Sequence, residues 1–319
     1  MNLTKEAQAR LDWLLWRQGG LGGSDVMQVL LGPEDRPYGG PWDVWLSKTQ
    51  TIGIDEATEA QAIGNWLERP IADWVGTHLG RTVTEADPVQ GSQGWMRCTP
   101  DFWLTGGDSA PEGLECKVSF KSAHWADGVP PYVLLQALWC MMCTDTQVWH
   151  VGAFLPMNRR RGNWLIERNA ELEAAVLERT HEWWERHVIK GEQPEVDGSK
   201  SCTDALFKIY PEVKVHKVLT ANEAQDALLG ELVDLNLLLK ASGARKREII
   251  NTLISDVGEH QGIQGTGGGV RWDQRKAVTR LDSKKLKEAH PALWDEFSTT
   301  GEPSRAARVI IPKEKKCKK

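Results

Sequence analysis

Asp101, Glu115 and Lys117 are the residues whose types and spacing can do chemistry. They sit in Thr99-Pro100-Asp101-Phe102-Trp103-Leu104 and in Gly113-Leu114-Glu115-Cys116-Lys117-Val118, joined by a Gly-rich turn. Successive side chains of a strand point to opposite faces. Glu115 and Lys117 therefore share a face, and Leu114, Cys116 and Val118 point into the opposite layer. Phe102 and Leu104 put Asp101 at the edge of a strand, and Gly106-Gly107-Asp108-Ser109 reads as the connecting loop. Such a hairpin can bring Asp101 beside Glu115. Two carboxylates converging with a lysine make an oxygen-rich site for a hard cation, Mg²⁺ or Mn²⁺. The bare pattern fits an exposed hairpin with a surface Glu–Lys pair equally well.

The elements around the hairpin must decide between these readings. The chain has 319 residues, enough for one large or two smaller domains. Its hydrophobic and charged fractions, 40% and 26%, are those of a globular protein. A net charge of −5 argues against a surface coated for nucleic acid but leaves room for a local basic channel. No apolar run approaches a membrane span, and Met1 to Arg10 lacks a signal-peptide core. The six cysteines (98, 116, 140, 143, 202 and 317) have no framework spacing, so a reduced, cytoplasmic protein is expected. Most of the sixteen tryptophans follow apolar patterns and read as core. A few are available to stack on bases.

In chain order, residues 4–17 have a helical rhythm. Gln18-Gly19-Gly20-Leu21-Gly22-Gly23-Ser24-Asp25 follows, with Ser24 expected to cap a helix over 26–31. Glycines before a helix N-terminus, with Arg17 just upstream, form a candidate phosphate cradle. An ordinary capped turn is the plainer alternative. Pro41 opens a helix, and residues 57–80 form a longer one carrying Glu68. Strands are expected over 81–85 and 94–98. The helix 132–142 is apolar on nearly all sides except for Gln136, a buried amide that needs partners. Facing the carboxylates, it could hold a water or a phosphate oxygen.

Cys140 and Cys143 make a C-x-x-C on this helix. The other cysteines do not complete a four-cysteine iron–sulfur set, so both read as core thiols. A buried strand over 147–155 leads to Arg159-Arg160-Arg161 at a turn, either a DNA-backbone patch or a solvated hairpin tip. A strand over 163–167 and a helix over 169–190 follow. Residues 191–220 read as a connector and 221–258 as a long amphipathic helix. A Gly-rich turn, a strand near 270–272, a helix over 283–298, a strand over 308–311 and a Lys-rich tail complete the chain.

Taken together, Trp16-Arg17, Gly22-Gly23-Ser24-Asp25, Trp66-Leu67-Glu68, Thr99-Pro100-Asp101, Leu114-Glu115-Cys116-Lys117 and Gln136 resemble, in order and spacing, the YqaJ family of viral recombinases, relatives of the lambda-type phage exonucleases. The likeness spans roughly residues 10–155 and is looser beyond. Two features depart from the family's habit: Leu138 stands where a second Gln is common, and the net charge is acidic.

The resemblance implies an α/β fold of the PD-(D/E)xK, restriction-endonuclease-like kind, with a mixed sheet flanked by helices and a C-terminal long-helix extension. The expected parts are a nuclease domain over 1–200, a helical arm with a small α/β extension over 201–312, and a basic tail over 313–319. It further implies Mg²⁺-dependent cleavage of duplex DNA ends, 5′→3′, with no organic cofactor, by a phage- or prophage-encoded protein in the cytoplasm of a bacterial host cell. A single-strand annealing protein and a ring-like trimer are the implied partners.

Carried onto this chain, Asp101 and Glu115 are metal ligands, with the Cys116 carbonyl and Glu68 completing the set. Lys117 orients water and stabilises charge, and Gln136 positions water or phosphate. Arg17 and Ser24 hold a phosphate, and Arg159, Arg160 and Arg161 contact the backbone. The alternatives are an endonuclease on the same fold and a non-catalytic DNA-binding recombination partner.

Overall fold

The structure, a computed structural model, describes residues 4–50, 58–106, 110–214, 218–266, 268–274, 277 and 281–299. The expected strand over 308–311 and the Lys-rich tail lie outside the described residues. The chain divides into two compact units, Met1–Ile209 and Tyr210–Lys319.

The first unit opens with three helices, α1 (Lys5–Gln18), α2 (Gly23–Leu30) and α3 (Pro41–Thr49), followed by the long α4 (Glu59–Leu79). Thr58 caps α4 through the Gln61 amide N–H, and Gly80 ends it in the left-handed conformation that glycine tolerates. Strands β1 (Thr82–Glu85), β2 (Val89–Gln90), β3 (Arg97–Cys98), β4 (Phe102–Thr105) and β5 (Glu112–Val118) follow. Helix α5 (Pro131–Thr144) crosses over to β6 (Val148–Leu155), which turns into β7 (Arg160–Glu167). Helix α6 (Ala170–Trp183) continues as one π-helical stretch over Trp184–Ile189, and α7 (Lys200–Ile209) closes the unit.

The sheet order is β1-β4-β5-β6-β7. β5 and β6 are parallel, and the other neighbouring pairs are antiparallel. The parallel pair requires a crossover, which α5 supplies. This is the mixed sheet flanked by helices that the sequence led one to expect. One face packs Leu114 and Cys116 with Phe102 and Leu104 against Ile71, Ala72 and Val75 of α4. The other face carries α5, buried almost all round, with α2 and α6 packed beyond it.

Several tryptophans bind backbone inside this core. Trp42 and Trp45 donate to the carbonyls of Glu195 and His187, each at 3.0 Å. Trp139 donates to the carbonyls of Leu21 (3.1 Å) and Arg97 (2.9 Å). It thereby ties α5 to a short bridge in which Leu21 pairs with Met96. Gly20 allows this approach, since a Cβ there would meet the Trp95 carbonyl oxygen at 2.3 Å.

Three local features differ from the sequence expectation. Helix α2 starts at Gly23 with Gly22 as its cap, so Ser24 lies inside the first turn. Residues 191–220 contain α7, whose Cys202, Ala205, Leu206 and Ile209 recur at helical spacing and join the core. Arg160 and Arg161 are the first residues of β7 rather than the tip of the hairpin. Arg159 holds the turn with φ of 51°.

In the second unit, α8 (Glu223–Val257) is one uninterrupted helix through Gly243, begun by an Asn222–Gln225 capping box. A hairpin of β8 (Gly262–Gly265) and β9 (Gly268–Arg271) and two short helices, α9 (Ser283–Ala289) and α10 (Pro291–Phe297), complete it. The helix expected over 283–298 is split because Pro291 cannot continue a helix from His290.

Trp139→Phe replaces the indole by a smaller ring and removes the shared donor, so the Arg97 carbonyl loses this bond while the Leu21 carbonyl retains the Arg97 N–H. The expected cost is about 1–3 kcal/mol in urea unfolding. An unchanged midpoint would show that this bond does not hold α5 to the Leu21–Met96 bridge.

Candidate active site

The β4–β5 hairpin places Asp101 immediately before β4, with Phe102 opposite Leu114 in register. The Asp101 Oδ2 accepts the Cys116 backbone N–H at 2.7 Å. That bond fixes the carboxylate against the strand carrying Glu115. Glu115 is buried, and its Oε1 is ion-paired with the Lys117 ammonium, one strand repeat away on the same face.

Charge effects bind the cluster together. Withdrawal from water pushes the Asp101 carboxyl well above the ordinary range. Glu115 and Glu68 push the same way, while Lys117 and the Cys116 N–H oppose them. Glu68 on α4 is also raised, by burial first and then by Glu115, against Lys117. Burial lowers the Lys117 pKa, but Glu115, Asp101 and Tyr38 outweigh it and hold the ammonium charged. Asp101, Glu115, Lys117 and Glu68 thus form one electrostatic group.

No three His, Cys, Asp or Glu side chains among the described residues are arranged to hold a metal by themselves. The chemistry of Mg²⁺ does not demand it, because one or two carboxylates usually suffice, with waters and substrate phosphates filling the octahedron. The donor set of Asp101, Glu115 and a strand carbonyl fits that description. Two acids that repel each other in a dry setting are relieved by a cation.

Gln136 of α5 is buried, and its Oε1 has no hydrogen-bond partner. Gly23, at the start of α2, packs against the Gln136 backbone, with 3.4 Å from an added Cβ to the Gln136 Cα. The first turn of α2 is therefore next to this amide.

That turn is held by charge. The Asp25 Oδ2 accepts the Gly22 N–H at 2.8 Å and pairs with Lys48 Nζ at 2.7 Å, and its Oδ1 takes Arg17 Nη2 at 3.3 Å. Lys48 also donates to the Arg17 carbonyl at 2.9 Å. Because Asp25 performs the cap, the Ser24 hydroxyl is free to accept Arg17 Nη2 at 3.1 Å. Arg17 and Ser24 are brought together as expected of a cradle, although Ser24 does not cap.

Tyr38 lies in electrostatic reach of Lys117 and Glu115 on one side and of Asp25 and Arg17 on the other. Arg159, Arg160 and Arg161 are exposed on the β6–β7 hairpin. Arg161 stacks over Trp74, 4.9 Å from the ring centre. Cys98 meets Cys140 and Cys143 through thiol hydrogen bonds inside the core, and all three are free.

Sequence reasoning missed Tyr38, Asp25 and Lys48. Tyr38 carried no local signal. Asp25 had one: an acid three residues into a helix can return to the cap N–H.

Against these geometries, residues 12–147 match the family model described as the YqaJ-like viral recombinase domain. This segment is similar to that family's domain. It contains Arg17, Ser24, Glu68, Asp101, Glu115, Cys116, Lys117 and Gln136 and stops before the arginine hairpin. The chain is 23% identical over 295 residues to the uncharacterized protein YqaJ of Bacillus subtilis strain 168, covering 90% of each. Solved structures similar to it include the alkaline exonuclease LHK-Exo of Laribacter hongkongensis, 19% identical with a TM-score of 0.41, covering 54% of this chain and 90% of that one. A phage-related exonuclease of Haemophilus somnus 129PT is 13% identical with a TM-score of 0.42, covering 54% and 96%.

The Asp25 pKa tests the cradle's scaffold. Burial raises it, but Lys48, Arg17 and the Gly22 N–H together bring it below the ordinary carboxylate value. Its contribution is therefore present above the unfolded value of about 3.9 and is lost as pH falls through the lower folded value. Asp25→Asn is expected to lower stability at neutral pH by about 3 kcal/mol. It should also flatten the acid limb of urea midpoints taken between about pH 6 and about pH 2. An acid limb identical to the parent's would contradict this assignment.

Proposed function

We propose that this protein is a divalent-cation-dependent exonuclease that hydrolyses phosphodiester bonds at duplex DNA ends, from the 5′ end, in phage-type recombination or end processing. The observation that carries the reading is the convergence of Asp101, Glu115 and Lys117, with the orphaned Gln136 amide oxygen and the Arg17–Ser24 pair reached through the start of α2.

Asp101 and Glu115 are the residues to hold Mg²⁺ or Mn²⁺, with the Cys116 carbonyl and Glu68 as further oxygens. A bound cation of this kind supplies charge neutralisation at the phosphate and activation of water. Lys117 sits beside the carboxylates as a fixed positive charge, suited to orienting an attacking water and to stabilising negative charge as it builds on phosphorus. The unpaired Gln136 Oε1 can accept from that water.

Arg17 and Ser24 present two donors where a helix N-terminus already favours an anion. A terminal 5′-phosphate is the ligand they suit. Arg159 and Arg160 are exposed charges for the DNA backbone, and Arg161 is partly committed to Trp74. A single-strand annealing partner, a bacterial cytoplasmic setting and a multimeric state belong to the same reading.

The test uses linear duplex DNA labelled at a 5′ end or internally, beside a closed circle, each with Mg²⁺ and with EDTA. Release of nucleotides from the 5′ end of the linear DNA with Mg²⁺ alone, and an intact circle, is the expected result. A cut circle would replace this reading with an endonuclease. Cleavage of neither would leave a DNA-binding recombination partner. Asp101→Ala and Lys117→Ala should each lower turnover by about 10²–10³-fold or more while DNA binding persists. Arg17→Ala should erase a preference for 5′-phosphate over 5′-hydroxyl ends. Full activity in either of the first two variants would show the site to be misassigned.

A further inference from the structure

The net charge of the chain is divided unevenly between its two units. Residues 1–209 hold 19 Lys and Arg against 29 Asp and Glu, a net −10, and residues 210–319 hold 20 against 15, a net +5. Nine of the 19 cations in the first unit are paired with acids. A duplex is a dense polyanion, with one negative charge per about 1.7 Å of its axis. A body of net −10 repels it. On the reading that the first unit cleaves DNA, the attraction has to come mainly from elsewhere.

Helix α8 shows where. Its 35 residues reach about 50 Å. It is acidic over 223–234 and basic over 240–247, where Lys240, Arg245, Lys246 and Arg247 occur without an acid. Lys240 and Arg247 are seven residues apart, two turns, and therefore share one side of the helix about 10 Å apart. Gly243 and Ala244 stand between them on that side and leave it without bulk. The Arg247 guanidinium lies along this side, its Nη1 3.7 Å from a Cβ placed on Gly243. Arg245 is engaged by Glu248 at 2.8 Å. Lys240 and Arg247 are exposed and have no ion-pair partner among the described residues. Two free cations on a smooth helix side are a seat for the phosphates of a strand. Lys284 on α9 is a third exposed, unpaired cation of this unit.

We propose that the second unit is a duplex-holding module: Lys240 and Arg247 of α8, with Lys284 of α9, bind the backbone of intact duplex and leave the strand end to the first unit. The contact is to phosphate and carries no sequence information. Each such contact releases about one counterion, so it steepens the fall of affinity with salt.

The experiment is fluorescence anisotropy of the full chain on a duplex closed by hairpin loops at both ends, in EDTA, between about 50 and about 200 mM KCl. Closed ends keep the Arg17–Ser24 cradle out of the measurement, and EDTA keeps cleavage out. The wild type is expected to bind, with affinity falling steeply with salt. K240Q/R247Q should lower the slope of log affinity against log salt by about two, and K284Q by about one, with helical circular dichroism retained. K284Q decides the matter if the α8 variant loses its helix. K190Q/K200Q, which removes two cations from the first unit, should leave the slope unchanged. A wild type that does not bind the closed duplex would overturn the proposal. So would an unchanged slope in K240Q/R247Q, or an equal fall in K190Q/K200Q. Because no cleavage is involved, a first unit that proves inactive on linear DNA would bear on Asp101 and Glu115 and leave this result standing.

Discussion

The arrangement depends on two carboxylates held close together away from water. Burial raises the cost of ionising Asp101, and the neighbouring Glu115 adds to that cost. A fold tolerates such a pair when something compensates. Here the Cys116 N–H and the Lys117 ammonium do part of that work. A divalent cation between the acids would do the rest. The hairpin geometry and the placement of Lys117 one repeat along the strand bring these charged groups together.

A second set of charges sets the neighbouring turn. Asp25 takes the Gly22 N–H, Lys48 and Arg17 together, and this lets Ser24 turn its hydroxyl to the guanidinium. The helix that begins there packs Gly23 on Gln136, so the anion-attracting end of α2 lies beside that buried amide. A buried ion pair of this kind adds little net stability, because desolvation offsets the attraction. Its value is orientation. It holds the Arg17 guanidinium against Ser24 and Asp25.

Much of this was legible in the chain because it is local. The two-residue period of a strand puts Glu115 and Lys117 on one face, and the apolar run around Gln136 marks it as a buried amide. The 3.6-residue period marks α4 and α8. What was illegible depends on contacts distant in sequence or on competition between local rules. Ser24 looked like a cap because serine is a good one, but the helix starts at Gly23, before it, and Asp25 returns to the Gly22 N–H. Helix α7 was hidden among Gly, Pro and Ser, and its apolar stripe makes sense only against α3. Lys48 is unremarkable until the Arg17 carbonyl and Asp25 meet it. Tyr38 stands in a loop whose path no periodicity describes.

Calorimetric titration of Mn²⁺ into the wild type, Asp101→Asn and Glu115→Gln tests most directly whether the paired acids are a cation site. Saturable binding in the wild type that is lost, or weakened by about tenfold or more, in each variant is the result this account predicts. Equal binding in all three, or none in the wild type with DNA present, would contradict it.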